Sequence, residues 1–69
     1  MKRIVDLEKM RRLRKEKMSL EEMAKQIGFK SPNGYYYIES GKTKVTADKL
    51  AEVADILGVE IQELFMEIK

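Results

Sequence analysis

Between Ser19 and Gly41 the chain carries two helix start signals and two helix stop signals, and this punctuation limits the possible folds more than any other feature. Ser19 followed by Glu22 makes a capping box, in which a hydroxyl and a carboxylate satisfy backbone N–H groups that a helix start leaves unpaired. Leu20, Met23, Ala24 and Ile27 fall at i, i+3, i+4 and i+7, the apolar stripe of a helix that begins at residue 20. Gly28 stops it, because glycine takes the left-handed conformation that closes a helix at little steric cost. A second start follows at once. Ser31 can cap and Pro32 suits the first helical position, so the next helix is expected from Pro32 to about Ser40, ending at Gly41.

Two short helices joined by a tight glycine turn make the helix-turn-helix pattern, here about residues 19–40, in which the first helix buttresses the second and the second is offered to DNA. The offered face follows from helical geometry. At about 100° per residue, Tyr35 and Ile38 lie on one side with Ser31, while Asn33, Tyr36, Tyr37 and Ser40 lie on the other. The first side is expected in the core. Ala24 and Gly34 are small where the two helices have to approach closely.

The flanks are helical in pattern as well. Leu7, Met10 and Leu13 recur at helical spacing, giving a first helix from about Asp6 to Lys15. Thr46 caps a later helix with apolar positions Leu50, Val53, Ala54 and Leu57, and Gly58 ends it. Ile61, Leu64, Phe65 and Ile68 repeat the i, i+3, i+4, i+7 spacing in a last short helix preceded by Glu60. The expected fold is therefore all-α, a compact arrangement of five helices in which residues 1–69 form one domain. Without cysteine, neither disulfides nor a thiolate metal site holds it together, so packing has to. Met10, Met18 and Met23 read as core or turn filling, whereas Met66 is expected at the surface.

Charge narrows the choice of partner. The net charge is only +2, but residues 1–17 hold eight basic groups against three acids, whereas residues 46–69 hold six acids and two lysines. One end is thus suited to phosphates and the other to solvent or a protein partner. The bland alternative for the basic run is a solvated helix face. Catalysis is not expected: the chain has no histidine and no cysteine, and pairs such as Glu21 with Glu22 or Asp48 with Glu52 fall on helix surfaces with no phosphate-binding loop nearby. No cofactor, metal or small-molecule substrate is expected. Apolar runs are too short to span a membrane and Met1–Leu7 lacks a signal-peptide core, so the reading is cytoplasmic and nucleoid-associated.

The string from Leu13-Arg14 through Ser19-Leu20-Glu21-Glu22-Met23-Ala24, Gly28, Ile38-Glu39-Ser40-Gly41 and Leu57-Gly58-Val59 to Leu64-Phe65 resembles the Cro and lambda-repressor-like helix-turn-helix family. The resemblance spans nearly the whole chain. It implies a transcriptional regulator, often encoded by bacteria, phages or mobile elements, that binds double-stranded operator DNA as a homodimer and commonly represses. Carried over residue by residue, the recognition positions fall on Pro32, Asn33, Gly34, Tyr36 and Tyr37, with Asn33 and Tyr37 pointing most directly outward. Asparagine can bond adenine in the major groove, and a tyrosine ring can pack on a thymine methyl or its hydroxyl can reach a phosphate. The alternative for the tyrosines is that two pack and one is a solvated tip. The following loop, Lys42, Thr43 and Lys44, is where the resemblance implies that ammonium groups and backbone amides meet phosphates, with Ser31, Ser40 and Arg14 as further phosphate candidates. Arg14 and Glu39 match a family ion pair that orients the recognition helix. Read as an exposed pair worth about 0–1 kcal/mol, it makes Glu39→Ala an expected loss of DNA binding more than of folding.

Three departures from the family pattern stand out. The turn from Gly28 to Ser31 is one residue longer, the connection at Lys17 and Met18 is one shorter, and Leu20 replaces a glutamine that clamps a phosphate. Phe65, Met66 and Ile68 give the chain end more apolar surface than so small a monomer easily covers, which points to a two-fold dimer contact. The rival function is a helix-turn-helix that binds a protein, as an antitoxin-like partner does. That role does not require a basic first helix together with Lys42, Lys44 and a polar outward face.

Overall fold

The computed structural model describes residues 2–68. Along the chain come β1 (Lys2–Val5), α1 (Leu7–Lys17), α2 (Leu20–Ile27), α3 (Pro32–Glu39), α4 (Ala47–Leu57), a single 3-10 turn (Ile61–Leu64) and β2 (Phe65–Ile68). Each helix boundary has a local cause. Asp6 accepts a hydrogen bond from the Lys9 amide at 3.0 Å to open α1. The Ser19–Glu22 capping box is formed at α2, and Thr46 accepts from the Lys49 amide at 3.2 Å to open α4. Gly28 and Gly58 close α2 and α4 with φ of 101° and 73°, where a side chain would be strained. At α3, Pro32 supplies the start by itself, since the Ser31 side chain makes no capping bond.

The core is built from one stripe of every helix: Met10 from α1, Met23, Ala24 and Ile27 from α2, Tyr35 and Ile38 from α3, and Leu50, Val53, Ala54 and Leu57 from α4, closed by Leu64. Met18 is half-buried and Met66 is exposed, as their positions in the sequence suggested. Among the described residues no helix is long and apolar enough to cross a membrane.

The fifth helix is not there. Only Ile61–Leu64 coils, as one 3-10 turn, and Phe65–Ile68 is a strand antiparallel to β1 in the register Lys2↔Ile68, Arg3↔Glu67, Ile4↔Met66 and Val5↔Phe65. Two physical reasons explain the difference. A short segment after Gly58 gains little from helical cooperativity, and β1, distant in sequence, offers it a ladder of backbone hydrogen bonds instead. The same apolar residues then alternate by face. Val5 and Phe65 pack on the core, while Ile4, Met66 and Ile68 turn outward. An amide of Asp6 donating to the Leu64 carbonyl at 2.7 Å pins the ribbon to the helical body.

Gly34 has a neighbour other than the one its spacing suggested. A Cβ at Gly34 would stand 2.7 Å from Cδ1 of Phe29, so the glycine makes room for the turn's own aromatic ring and not for the facing helix. Gly34→Ala should therefore cost about 1–3 kcal/mol through overpacking, and Phe29→Leu in the same chain should recover part of it. Urea unfolding of the two variants checks this, and an unchanged midpoint for Gly34→Ala would contradict the packing described.

Candidate nucleic-acid interface

Helix α3 enters the molecule on one face and leaves the other free. Tyr35 is fully buried and Ile38 nearly so, whereas Tyr36 is 48% and Tyr37 41% exposed, and Pro32 and Asn33 are also exposed. Asn33 and Tyr37 stand one turn apart on the exposed face, although Tyr36 is the more exposed of the two tyrosines. Gly34 is half-buried beneath Phe29, so it shapes the turn beside the exposed face. The two outer tyrosine rings lie 6.1 Å apart at 55°, and the Lys42 ammonium sits 5.7 Å from the Tyr37 ring centre. That contact ties the loop to the helix by a cation–π attraction.

The Tyr37 carbonyl is the chief acceptor of the loop after α3, with the Gly41 amide donating to the Ile38 carbonyl beside it. The amides of Lys42 and Thr43 both donate to the Tyr37 carbonyl, at 3.0 and 3.2 Å, and the Ser40 hydroxyl donates to the same oxygen at 3.2 Å. Two of the three amides expected to face phosphates, those of Lys42 and Thr43, are thus occupied, and so is the Ser40 proton. What stays open toward an anion is the pair of ammonium groups on Lys42 and Lys44 and the Thr43 hydroxyl, all on exposed residues. Ser31 is exposed at the start of α3, with its side chain uncommitted to the helix cap.

Arg14 and Glu39 come together as expected, but not at the surface. Nε and Nη2 of Arg14 donate to the two carboxylate oxygens of Glu39 at 3.2 and 2.8 Å, a bidentate pair, and Nη1 donates to the Met18 carbonyl at 3.1 Å. Arg14 is 6% and Glu39 8% exposed. The Glu39 hydrogen bond raises the Arg14 pKa further above its ordinary value, opposed by burial, so the charge is permanent. Next to the pair, the Tyr35 hydroxyl is buried and finds no hydrogen-bond partner among the described residues. Burial first, and then the Glu39 charge, push its pKa well up, so it stays neutral. With three of its donor positions engaged and almost no exposure, Arg14 is a positioning group rather than an open phosphate ligand.

A second anchor was not anticipated from the sequence. Lys49 of α4 donates to the Ile27 carbonyl at 3.4 Å, lies 5.5 Å from the Phe29 ring centre and pairs with Glu52 at 3.6 Å. It thereby fastens the turn between α2 and α3 to α4. Lys49 is half-buried, which a polar residue at the edge of an apolar stripe only suggests.

The tight α2–α3 corner, the buried inner face of α3 and the exposed polar and aromatic outer face define a helix-turn-helix domain. The helix-turn-helix family model matches residues 7–64, most of the chain, and the chain belongs to this Cro/C1-type family of DNA-binding regulators. The match begins at Leu7 and ends at Leu64, so both strands of the ribbon lie outside it. Comparison with curated proteins and with solved structures finds no match.

Burial changes what the ion pair implies for mutation. Removing one partner strands a buried charge, so Glu39→Ala is expected to destabilise folding by about 3 kcal/mol, in contrast to the small folding effect that an exposed pair implies. The double replacement Arg14→Met, Glu39→Leu should recover most of the loss in urea unfolding. A double variant as unstable as the single one would refute this account of the pair.

Proposed function

We propose that this protein is a sequence-specific regulator of transcription that binds double-stranded operator DNA as a homodimer, lays α3 in the major groove and represses by occupying its site. The observation that carries the reading is the division of α3 into a buried face, Tyr35 and Ile38, and an exposed face of Asn33, Tyr36 and Tyr37 bordered by Lys42 and Lys44. Asn33 and Tyr37 are the base readers in this proposal, by amide bonds to a base edge and by ring contact with a methyl group. Lys42, Thr43 and Lys44 meet phosphates on the adjoining strand. The protein works in the cytoplasm, at the nucleoid.

The dimer contact proposed is the outer face of the ribbon, where Ile4 is 42%, Met66 40% and Ile68 38% exposed. Phe65 points the other way and packs on the core, so its part in the contact is to hold the strand. An apolar face of this kind on a small domain favours burial against a second copy.

Selection of bound duplexes from a randomised pool should enrich a palindromic motif, and Asn33→Ala with Tyr37→Ala should relax or abolish it. A folded parent that enriches no motif would turn the reading toward protein binding. In sedimentation at micromolar concentration the parent should be dimeric and Ile4→Lys, Met66→Lys monomeric; a parent already monomeric would contradict the proposed contact.

A further inference from the structure

Between the ribbon and the loop that follows α3 lies a cleft of about 390 Å3, within the size range of small-molecule sites. Val5 and Phe65 of the ribbon, Leu7 of α1, Ile38 of α3 and Val45 of the loop line it. All five belong to the core or pack against it, so the apolar wall is fixed in place. The loop closes onto α1 at Gly41, where a Cβ would stand 3.2 Å from Cδ1 of Leu7. Toward solvent the chemistry changes. Arg3, two residues before Val5 and so on the same face of its strand, lines the cleft together with Lys44 and Thr43, and all three are exposed. No carboxylate is among the described residues that line it. The acids nearby are placed otherwise: Asp6 accepts from the Lys9 amide to cap α1, and Glu8 lines the outer surface of α1 with Arg11 and Arg12. Glu67 meets Arg3 only at 3.9 Å, in an exposed cross-strand pair, and Lys44 is in no ion pair among the described residues.

An apolar wall that ends at two cations and a hydroxyl is complementary to a molecule with an apolar body and one anionic end. A second copy of the chain is a poorer fit. Of the ribbon's outward residues only Ile4 touches the cleft, Met66 and Ile68 stand on the other face, and an apolar side chain would leave both charges unmatched. We propose that the cleft binds a medium-chain fatty acid, its tail among Val5, Leu7, Val45 and Phe65 and its carboxylate between Arg3 and Lys44. Lys44 and Thr43 are also the groups that meet phosphate in the function proposed above, so acid and DNA compete for them and the acid releases the duplex. The competition rests on the DNA-binding reading; the acid site stands without it.

Octanoate is the probe, and 1-octanol, with the same chain and no charge, is its control. Amide chemical shifts of the full chain titrated with octanoate should change most at Leu7, Thr43–Val45 and Phe65 and saturate with a Kd below about 1 mM. Octanol should bind about tenfold more weakly, since it lacks the charge-assisted bonds. Saturating octanoate should lower affinity for a selected operator duplex about tenfold relative to the same concentration of acetate. Arg3→Gln should lose octanoate binding and its effect on DNA, yet bind the duplex as the parent does when no acid is present. No saturable binding, octanol binding as tight as octanoate, or changes confined to Ile4, Met66 and Ile68 would overturn the site. Octanoate that fills the cleft and leaves duplex affinity unchanged would overturn the competition. A parent that binds octanoate but no duplex would remove the DNA-binding reading while upholding the site.

Discussion

The bidentate bond between Arg14 and Glu39 joins α1 to the end of α3 inside the protein, and the orientation of α3 depends on it. Taking two charges out of water is costly, and the cost is offset only when geometry is good and the remaining donors are satisfied. Here a third Arg14 donor reaches the Met18 carbonyl, so the same guanidinium also fixes the chain as it leaves α1 for α2. Tyr35 is buried against this pair, and its ring is among the largest fully buried side chains. A rotation of α3 about its axis would expose that ring and break the pair together. Such a bond adds directional precision that apolar packing alone does not impose.

The opposite end of α3 is held by different chemistry. Phe29 fills the space that Gly34 leaves, and Lys49 binds both the Phe29 ring and the Ile27 carbonyl. α3 is therefore fixed at its start by the turn and α4, and at its end by α1. Between the two anchors its outer face packs on no other helix: Asn33, Tyr36 and Tyr37 are exposed there, with only the Lys42 ammonium set over the Tyr37 ring. The charge distribution follows the same division. Basic groups border α3 through α1 and the loop, whereas Asp48, Glu52 and Asp55 lie exposed on α4.

Much of this was legible in the residues because it is local. Capping by Ser19 and Thr46, the stops at Gly28 and Gly58 and the apolar stripes each act within a turn or two of chain, and they place α1 to α4 within a residue or two at each end. What was misread depends on contacts distant in sequence. Ile61, Leu64, Phe65 and Ile68 satisfy a helical period as well as they satisfy a turn followed by a strand, and only the pairing with Lys2–Val5 decides between them. The Arg14–Glu39 pair was identifiable by resemblance, but its burial arises from the packing of α1 against α3. The occupied loop amides follow from the placement of one carbonyl, that of Tyr37, which no residue pattern encodes.

Amide chemical-shift mapping of the protein against a selected operator duplex tests the central claim, that a rigidly anchored α3 presents its outer face to DNA, most directly. The account predicts the largest changes at Asn33, Tyr36, Tyr37 and Lys42–Lys44, with Asp48, Glu52 and Asp55 on α4 almost unaffected. Changes concentrated on α4 or on the ribbon, with the outer face of α3 silent, would contradict it.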